Sequence, residues 1–526
     1  MQSPIKIDET SSAILDQVIS RITNRNLSFL MGAGISVNSG IPMVGNIKNN
    51  EIIDGIETYI LSKLDFSIEE VSVFLNTIPF ETFFEVLIDN GLDMKMFVNV
   101  FKSQPSIFHN VTAKLVQKGM VNSIATTNFD NCIELALGEL GIVFSVHSSG
   151  EFDNKNISQT TIRKFHGTID DINGLGISIK NISNKLGFEK RKHDIEDYIE
   201  EVDCIIVCGY SCSDIFDLTP IFDSYKNPNS KKIIFISHTN DKKIEIITSN
   251  TDSKFDKIYN MFGNYNLEIV QCNTDYFIET LARKFNITNI HNTVHRIDWK
   301  QYIDNCINEF NELKKHKIRG NLFYKIGENE KSINCLIEAL SFAKTDEDKL
   351  ACQRSIAWTY AHEGNMPKAQ EILLPFLKEY AELMDNYSVH FANILYTLGV
   401  CYTNTDYKKA RCYYLQGLEL CRKHGLKREE GYTLVNLGEL YETCGKYDKA
   451  IVVANKAVLI LADIGYIDAV GICYSNLSKY YFKKEKYVDA MTNIEKAIDI
   501  STKLGEIKVK NTRMCIKAKI EDKLKK

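Results

Sequence analysis

Proline is scarce in this chain, eight in 526 residues, and cysteines, fourteen in all, show no paired framework spacing. With 44% apolar and 25% charged residues, this composition excludes a disordered polymer and fits ordinary globular folding. The cysteine usage suits a reducing compartment. A positive excess is also absent: the formal net charge is -5. No global basic field exists for holding nucleic acid, and no nucleic-acid partner is expected. The basic end KAKIEDKLKK reads as a solvated helix terminus. Long unbroken apolar runs are missing as well. The most apolar stretch, Ala450 to Tyr474, is interrupted by Asn455, Lys456, Asp463 and Asp468, which argues for packed helices over a bilayer span, so no membrane partner is expected. The opening MQSPIKIDETSS lacks the basic segment and apolar core of a secretory signal. A cytoplasmic location is the expectation.

What is present falls into two halves. A chain of 526 residues exceeds one core, so two to four domains are expected. Residues 1–285 alternate short apolar runs with amphipathic stretches, the pattern of a mostly parallel α/β sheet. Candidate strands are 27–32, 121–127, 204–210, 232–237 and 267–272. Between the first two lie EIIDGIETYILSKL and ETFFEVLIDNGL, a helical insertion over about 47–120 and a candidate lid. Residues 286–316 read as a connecting helix. From 317 to 526 strands vanish and a repeat takes over, seen in IAWTYAHEGNMPKA, LGVCYTNTDYKKA, LGELYETCGKYDKA and LSKYYFKKEKYVDA. Small residues Gly417, Ala457 and Ala497 recur at a spacing of 40 in the second helix of the unit. The first unit begins near Ile318. This half is an all-α solenoid.

The chemistry-bearing stretches lie in the first half. GAGISVNSGIP, 32–42, turns directly out of an apolar strand, and its glycines would let the backbone approach a pyrophosphate at a helix start. The third small residue of G-x-G-x-x-G would fall at Val37, and no Lys-Ser/Thr pair follows. A plain glycine turn therefore remains open as the alternative. TTNFD, 126–130, admits two readings: a ligand-contacting loop, or capping of the next helix by Asn128 or Asp130, with Asn131 and Glu134 as a capping box. The histidine of FHG, 165–167, is either structural or catalytic. GYSCSD, 209–214, and SHTN, 237–240, follow two further strands.

Together, in this order, the segments resemble the sirtuin family, whose GAGIS-x-x-SGIP lines an NAD cleft. TTNFD is similar to its TQNID segment, FHG to its catalytic His-Gly, and GYSCSD to its GTS turn. The resemblance covers about 1–285 and implies an α/β Rossmann-like fold. It implies Asn128 orienting the ribose or the attacking water, His166 as general base, Asp130 near the nicotinamide end, and Thr127 among the cofactor-binding residues. Gly32, Ala33, Gly34 and Ser36 would cradle the phosphates, and Gly209, Ser211 and Asn240 the adenosine side. The repeats resemble tetratricopeptide repeats, although their period exceeds the usual 34.

Two departures bear on the chemistry. Between His166 and Gly209 the only cysteines are Cys204 and Cys208, so the family's two CxxC zinc pairs are missing and no zinc is expected. Cys204, Cys208 and Cys212 read as buried small hydrophobes. The arginine usual after SGIP is replaced by MVGNIKNN. A sirtuin-like domain without zinc joined to helical repeats resembles the bacterial defence-associated sirtuins. That resemblance implies an NAD hydrolase, with NAD as substrate, that is silent until phage infection is sensed. It also implies homo-oligomers through the sirtuin domain and repeats that bind a phage protein or peptide. The alternatives are an NAD-dependent protein deacylase and a catalytically idle nucleotide-regulated scaffold.

Overall fold

In strand Leu27–Met31 every residue is buried, and its side chains divide between two layers. Leu27, Phe29 and Met31 join one apolar cluster and Leu30 joins another, as the two-residue period of a strand requires. Cys204, Ile206 and Cys208 repeat that division against Ile205 and Val207. Both faces of the sheet are therefore covered, which is the usual condition of a parallel sheet. Each fully buried Leu or Ile adds about 1.5–3 kcal/mol to that packing.

The computed structural model describes residues 9–22, 26–43, 47–48, 51–52, 55–148, 160–178, 185–212, 218–241, 243–247, 252–288, 290, 294–295, 297–503 and 507–525. Its main sheet has eight strands: β1 Leu27–Met31, β2 Val121–Thr126, β3 Phe144–Ser148, β4 Thr160–Lys164, β5 Cys204–Cys208, β6 Lys232–His238, β7 Glu245–Ile247 and β8 Asn266–Cys272. They lie in the order β3-β4-β2-β1-β5-β6-β8-β7. All neighbours pair parallel except β7 against β8. Helices Glu9–Ser20, Ile107–Gln117, Cys132–Glu139 and Thr274–Lys284 supply one outer layer. Lys185–Glu201, Leu218–Asp223 and Asp256–Phe262 supply the other. The order reverses at β1, whose neighbours β2 and β5 carry the chain outward on opposite sides. That reversal opens a crevice at the carboxyl ends of β1 and β5, where open α/β sheets take ligands.

Three strands, β3, β4 and β7, add to the five expected from apolar runs. β4 was hidden because TTIRK carries two charges, and both are buried. Arg163 donates to Ser123 Oγ and to Glu201 Oε1, each at 2.7 Å. Lys164 donates to Glu134 Oε1 at 2.8 Å. Pairing makes such burial tolerable.

The chain forms two compact units. One comprises 1–60, 93–177 and 186–306 and holds the sheet; the other comprises 61–92, 178–185 and 307–526. In the second unit, five helix pairs run Glu312–Lys325 with Asn329–Ser341, Asp346–His362 with Met366–Glu379, Ser388–Tyr402 with Tyr407–His424, Lys427–Thr443 with Tyr447–Asp463, and Ile467–Lys483 with Tyr487–Lys503. Helix Ile507–Leu524 closes the series. From the second pair on, the first helices of neighbouring pairs touch, while contact between successive second helices is sparse. The first helices therefore form the inner, concave row of the solenoid. The alanine that ends each repeat signature, Ala369, Ala410, Ala450 and Ala490, is fully buried, as are Ala457 and Ala497. Part of the expected insertion belongs with this unit: Phe66 and Phe74 pack on each other and on Phe323, with ring centres 4.9, 5.4 and 5.6 Å apart. Among the described residues no single helix is long and apolar enough to cross a membrane.

Candidate functional site

The glycine turn leaves β1 at Gly32 and continues as a 3-10 helix, Ala33–Ser39, closed by Gly40 at φ 82°. It interlocks with the turn that leaves β5. Gly32 N donates to Cys208 O and Gly34 N to Gly209 O, both at 2.9 Å, while Ile35 N donates to Gly32 O at 3.2 Å. These bonds narrow the expected phosphate cradle, because the amides of Gly32 and Gly34 are already engaged. Ala33, exposed at the start of the turn, is left as the candidate anion donor.

Asn128 follows β2 and is 8% exposed. Its Nδ2 donates to Gly32 O at 3.2 Å and to Ser36 Oγ at 3.0 Å. The Gly32 carbonyl can only accept, which fixes the amide orientation. Oδ1 is consequently left buried and without a hydrogen-bond partner among the described residues. Ser36 Oγ in turn donates a hydrogen bond to Asp130 Oδ2 at 2.9 Å, and Asp130 Oδ1 accepts from Cys132 N at 3.0 Å. The capping alternative is thus resolved in favour of Asp130: Asn131 makes no side-chain cap, and Glu134 turns to Lys164.

His166 follows β4 and is 8% exposed. Phe165 N donates to Thr126 O and Ile169 N to Phe129 O, both at 3.0 Å. These bonds zip the FHG loop to the TTNFD loop. Gly167, at φ 87°, comes so close to the next turn that a Cβ would lie 2.4 Å from Gly174 O. Thr127 N donates to Met31 O at 3.0 Å. Ser211 and Asn240 are exposed just beyond β5 and β6, and Asn240 Oδ1 lies 3.2 Å from His238 Nε2. Every expected site residue therefore stands at or near the carboxyl end of a parallel strand. Ser213 and Asp214 of GYSCSD, and parts of MVGNIKNN, lie outside the described residues.

Residues 122–261 match the model of the SIR2-like domain. The chain carries a SIR2-like domain. Residues 432–460 match a tetratricopeptide repeat. Among curated proteins none matches the chain. Similar solved structures include a Rap protein complexed with Competence and Sporulation Factor, at 13% identity and TM-score 0.37, covering 53% of this chain and 77% of that one. A thermophilic TPR protein of Thermus thermophilus is similar at 16% identity and TM-score 0.30, covering 39% and 98%. BtubC from P. vanneervenii is similar at 23% identity and TM-score 0.31, covering 37% and 81%. Likeness at this level carries no functional argument.

A SIR2-like domain associates this unit with NAD chemistry, and its residues add a buried polar group that the motifs did not reveal. The donor atoms of His109, Asp130 and Cys132 lie within 4.8 Å of one another. His109 Nδ1 accepts from Ser106 N at 3.1 Å, so the neutral ring carries its proton on Nε2. Burial pulls this imidazole down to about 4, with Asp130 opposing and Lys164 adding to the effect. Burial and Asp130 push the Cys132 thiol far up. Both Asp130 oxygens already accept bonds, Oδ2 from Ser36 Oγ and Oδ1 from Cys132 N. The group behaves as a hydrogen-bonded brace beneath the TTNFD loop. Lys164, fully buried, also donates to the carbonyls of Asp130 and Phe129. Only the Ser106-x-x-His109 capping pattern hinted at any of this in sequence.

Proposed function

We propose that the SIR2-like domain hydrolyses NAD to nicotinamide and ADP-ribose. One observation carries this reading above the others. A buried amide oxygen on Asn128 lacks a partner, although its nitrogen is fixed at the crevice by Gly32 and Ser36. An unsatisfied buried acceptor costs about 1–3 kcal/mol, and a ribose hydroxyl or a water molecule would satisfy it. In the reaction, the bond between the ribose carbon and the nicotinamide nitrogen breaks and its electron pair returns to the ring. Nicotinamide leaves neutral. Water attacks the oxocarbenium-like carbon and gives its proton to His166, acting as general base. Asn128 orients that water or the ribose.

Uncontrolled NAD loss would stop the growth of the cell that makes the protein. The repeats supply the control in this reading: they register phage infection and release the activity as a defence. The experiment is to incubate the purified full chain with NAD and follow nicotinamide, alone and with lysate of phage-infected cells, beside Asn128→Ala and His166→Ala. Release by the parent and a loss of about 10²-fold or more in both variants is expected. NAD that stays intact under every condition would overturn the hydrolase reading.

A further inference from the structure

Three passages of the chain between the two units are tied to the glycine turn or to one another. Helix Ile56–Lys63 carries the chain out of the sheet-bearing unit, residues 93–106 bring it back, and helix Trp299–Asn308 carries it out again. Ile56 N donates to Met43 O at 3.3 Å, and His295 N donates to Asn38 O at 3.0 Å. Tyr59 OH, on the first exit helix, donates to Asp304 Oδ1, on the second, at 2.9 Å.

The return segment makes the most of these ties. Ser103 Oγ donates to Ser39 O, and Ser106 Oγ donates to Ile35 O at 3.1 Å. Both carbonyls belong to the 3-10 helix Ala33–Ser39. The internal bonds of such a helix have poorer geometry than those of an α-helix, so outside donors carry weight there. The same segment reaches the TTNFD loop: the ring centres of Phe101 and Phe129 are 5.2 Å apart, and Cys132 Sγ donates to Gln104 O at 3.6 Å. One stretch thus braces both motifs that meet at Asn128. Upstream, it issues from helices held within the repeat-bearing unit. There Phe66 and Phe74 pack on Phe323, Glu70 Oε1 accepts from Lys331 at 3.1 Å, and Asp89 lies 3.9 Å from Arg428. Between anchor and turn the chain is wound as the short helices Met94–Phe97 and Val98–Phe101, which leaves little slack to absorb a shift.

We infer that residues 93–106 are a control strap, through which the hold of the repeats on 61–92 sets how firmly the glycine turn is kept closed. Loosening that hold withdraws Ser103 and Ser106 from the Ser39 and Ile35 carbonyls and lets the turn open. This names a means of regulating the crevice and rests on its reading as the NAD site.

The test is hydrogen exchange with mass spectrometry on the full chain, without NAD, read at the peptide covering 32–41. Phe74→Leu, which loosens the anchor, is expected to speed exchange there about tenfold, and Ser103→Ala to do the same from the strap itself. The double variant should be no faster than either single one, since both act on the same bonds. Phe323→Leu serves as a second anchor variant, and circular dichroism checks that each folds. Leu418→Ala, in the apolar core of other repeats, is the control and should leave exchange at 32–41 at the parent rate. Parent-rate exchange at 32–41 in the folded anchor variants, or equal acceleration by Leu418→Ala, would overturn the strap. So would independent effects of Phe74→Leu and Ser103→Ala that multiply in the double variant. Exchange is read without ligand, so unmoved exchange with nicotinamide release intact sinks this proposal alone. Exchange that responds as expected in a chain that never cleaves NAD sinks only the hydrolase reading.

Discussion

A Cβ placed on Gly209 would lie 2.5 Å from Ile35 N, and one placed on Gly32 would lie 2.4 Å from Gly209 O. Two backbones pass in contact here, and side-chain space between them is nil. Gly209 also holds φ at 65°, where an L side chain is strained. Gly209→Ala is therefore expected to lower stability by about 3 kcal/mol and to abolish nicotinamide release. Gly141→Ala is the control: φ is 67° but nothing lies within 4 Å of the added carbon. It should cost about 1 kcal/mol. Urea unfolding midpoints distinguish the two, and equal losses would refute the close-contact explanation.

His109 makes stability depend on acidity in a defined direction. Its pKa falls from 6.5 to about 4 on folding, chiefly through burial. The unfolded chain therefore binds this proton first as pH drops. The contribution is complete above pH 6.5 and is lost as pH falls toward 4, amounting to about 3 kcal/mol over that window. His109→Asn should flatten the dependence between pH 7 and 5. A parent and variant with parallel stability profiles would remove His109 from the account.

The pair Lys164 and Glu134 is buried at 2.8 Å. Removing one member strands the other's charge, and Lys164→Met is expected to cost about 3–5 kcal/mol. The double variant Lys164→Met with Glu134→Leu should recover most of that loss. Unfolding of the three variants closes a double-mutant cycle, and additive losses would show that the two residues do not depend on each other.

Glu485 occupies a position between paired helices where three other repeats have glycine, Gly327, Gly364 and Gly445. Its φ is 59°, against 87° at Gly364 and 68° at Gly445. Glu485→Gly should raise stability by about 1 kcal/mol by relieving left-handed strain. Thermal unfolding checks this, and a lower midpoint would show that unfolded-state entropy outweighs the strain.

Where the sequence was legible, one-dimensional pattern and local burial coincide. The strand CIIVC is buried throughout, and the repeat alanines keep one phase. Gly32, Asn128 and Gly209 were legible because each follows an apolar run at a strand end, and His166 through the resemblance of FHG alone. TTIRK was illegible for the opposite reason: Arg163 and Lys164 look like surface residues until Glu201 and Glu134, distant in sequence, are beside them. His109 was missed likewise, since its neighbours Asp130 and Cys132 come from another loop. The helices Ile68–Thr77 and Phe80–Asp89 show amphipathic periodicity, which says that a helix buries one face but not which core receives it.

That last point limits how the protein can be divided. The aromatic cluster of Phe66, Phe74 and Phe323 draws two members from the chain between β1 and β2 and the third from beyond the last strand. A chain truncated before Phe323 would therefore retain two rings stripped of their third, and a fragment beginning after the sheet would lack the other two. Neither product would be a clean domain: the first would be prone to aggregate, and the second would begin with an unfilled apolar notch.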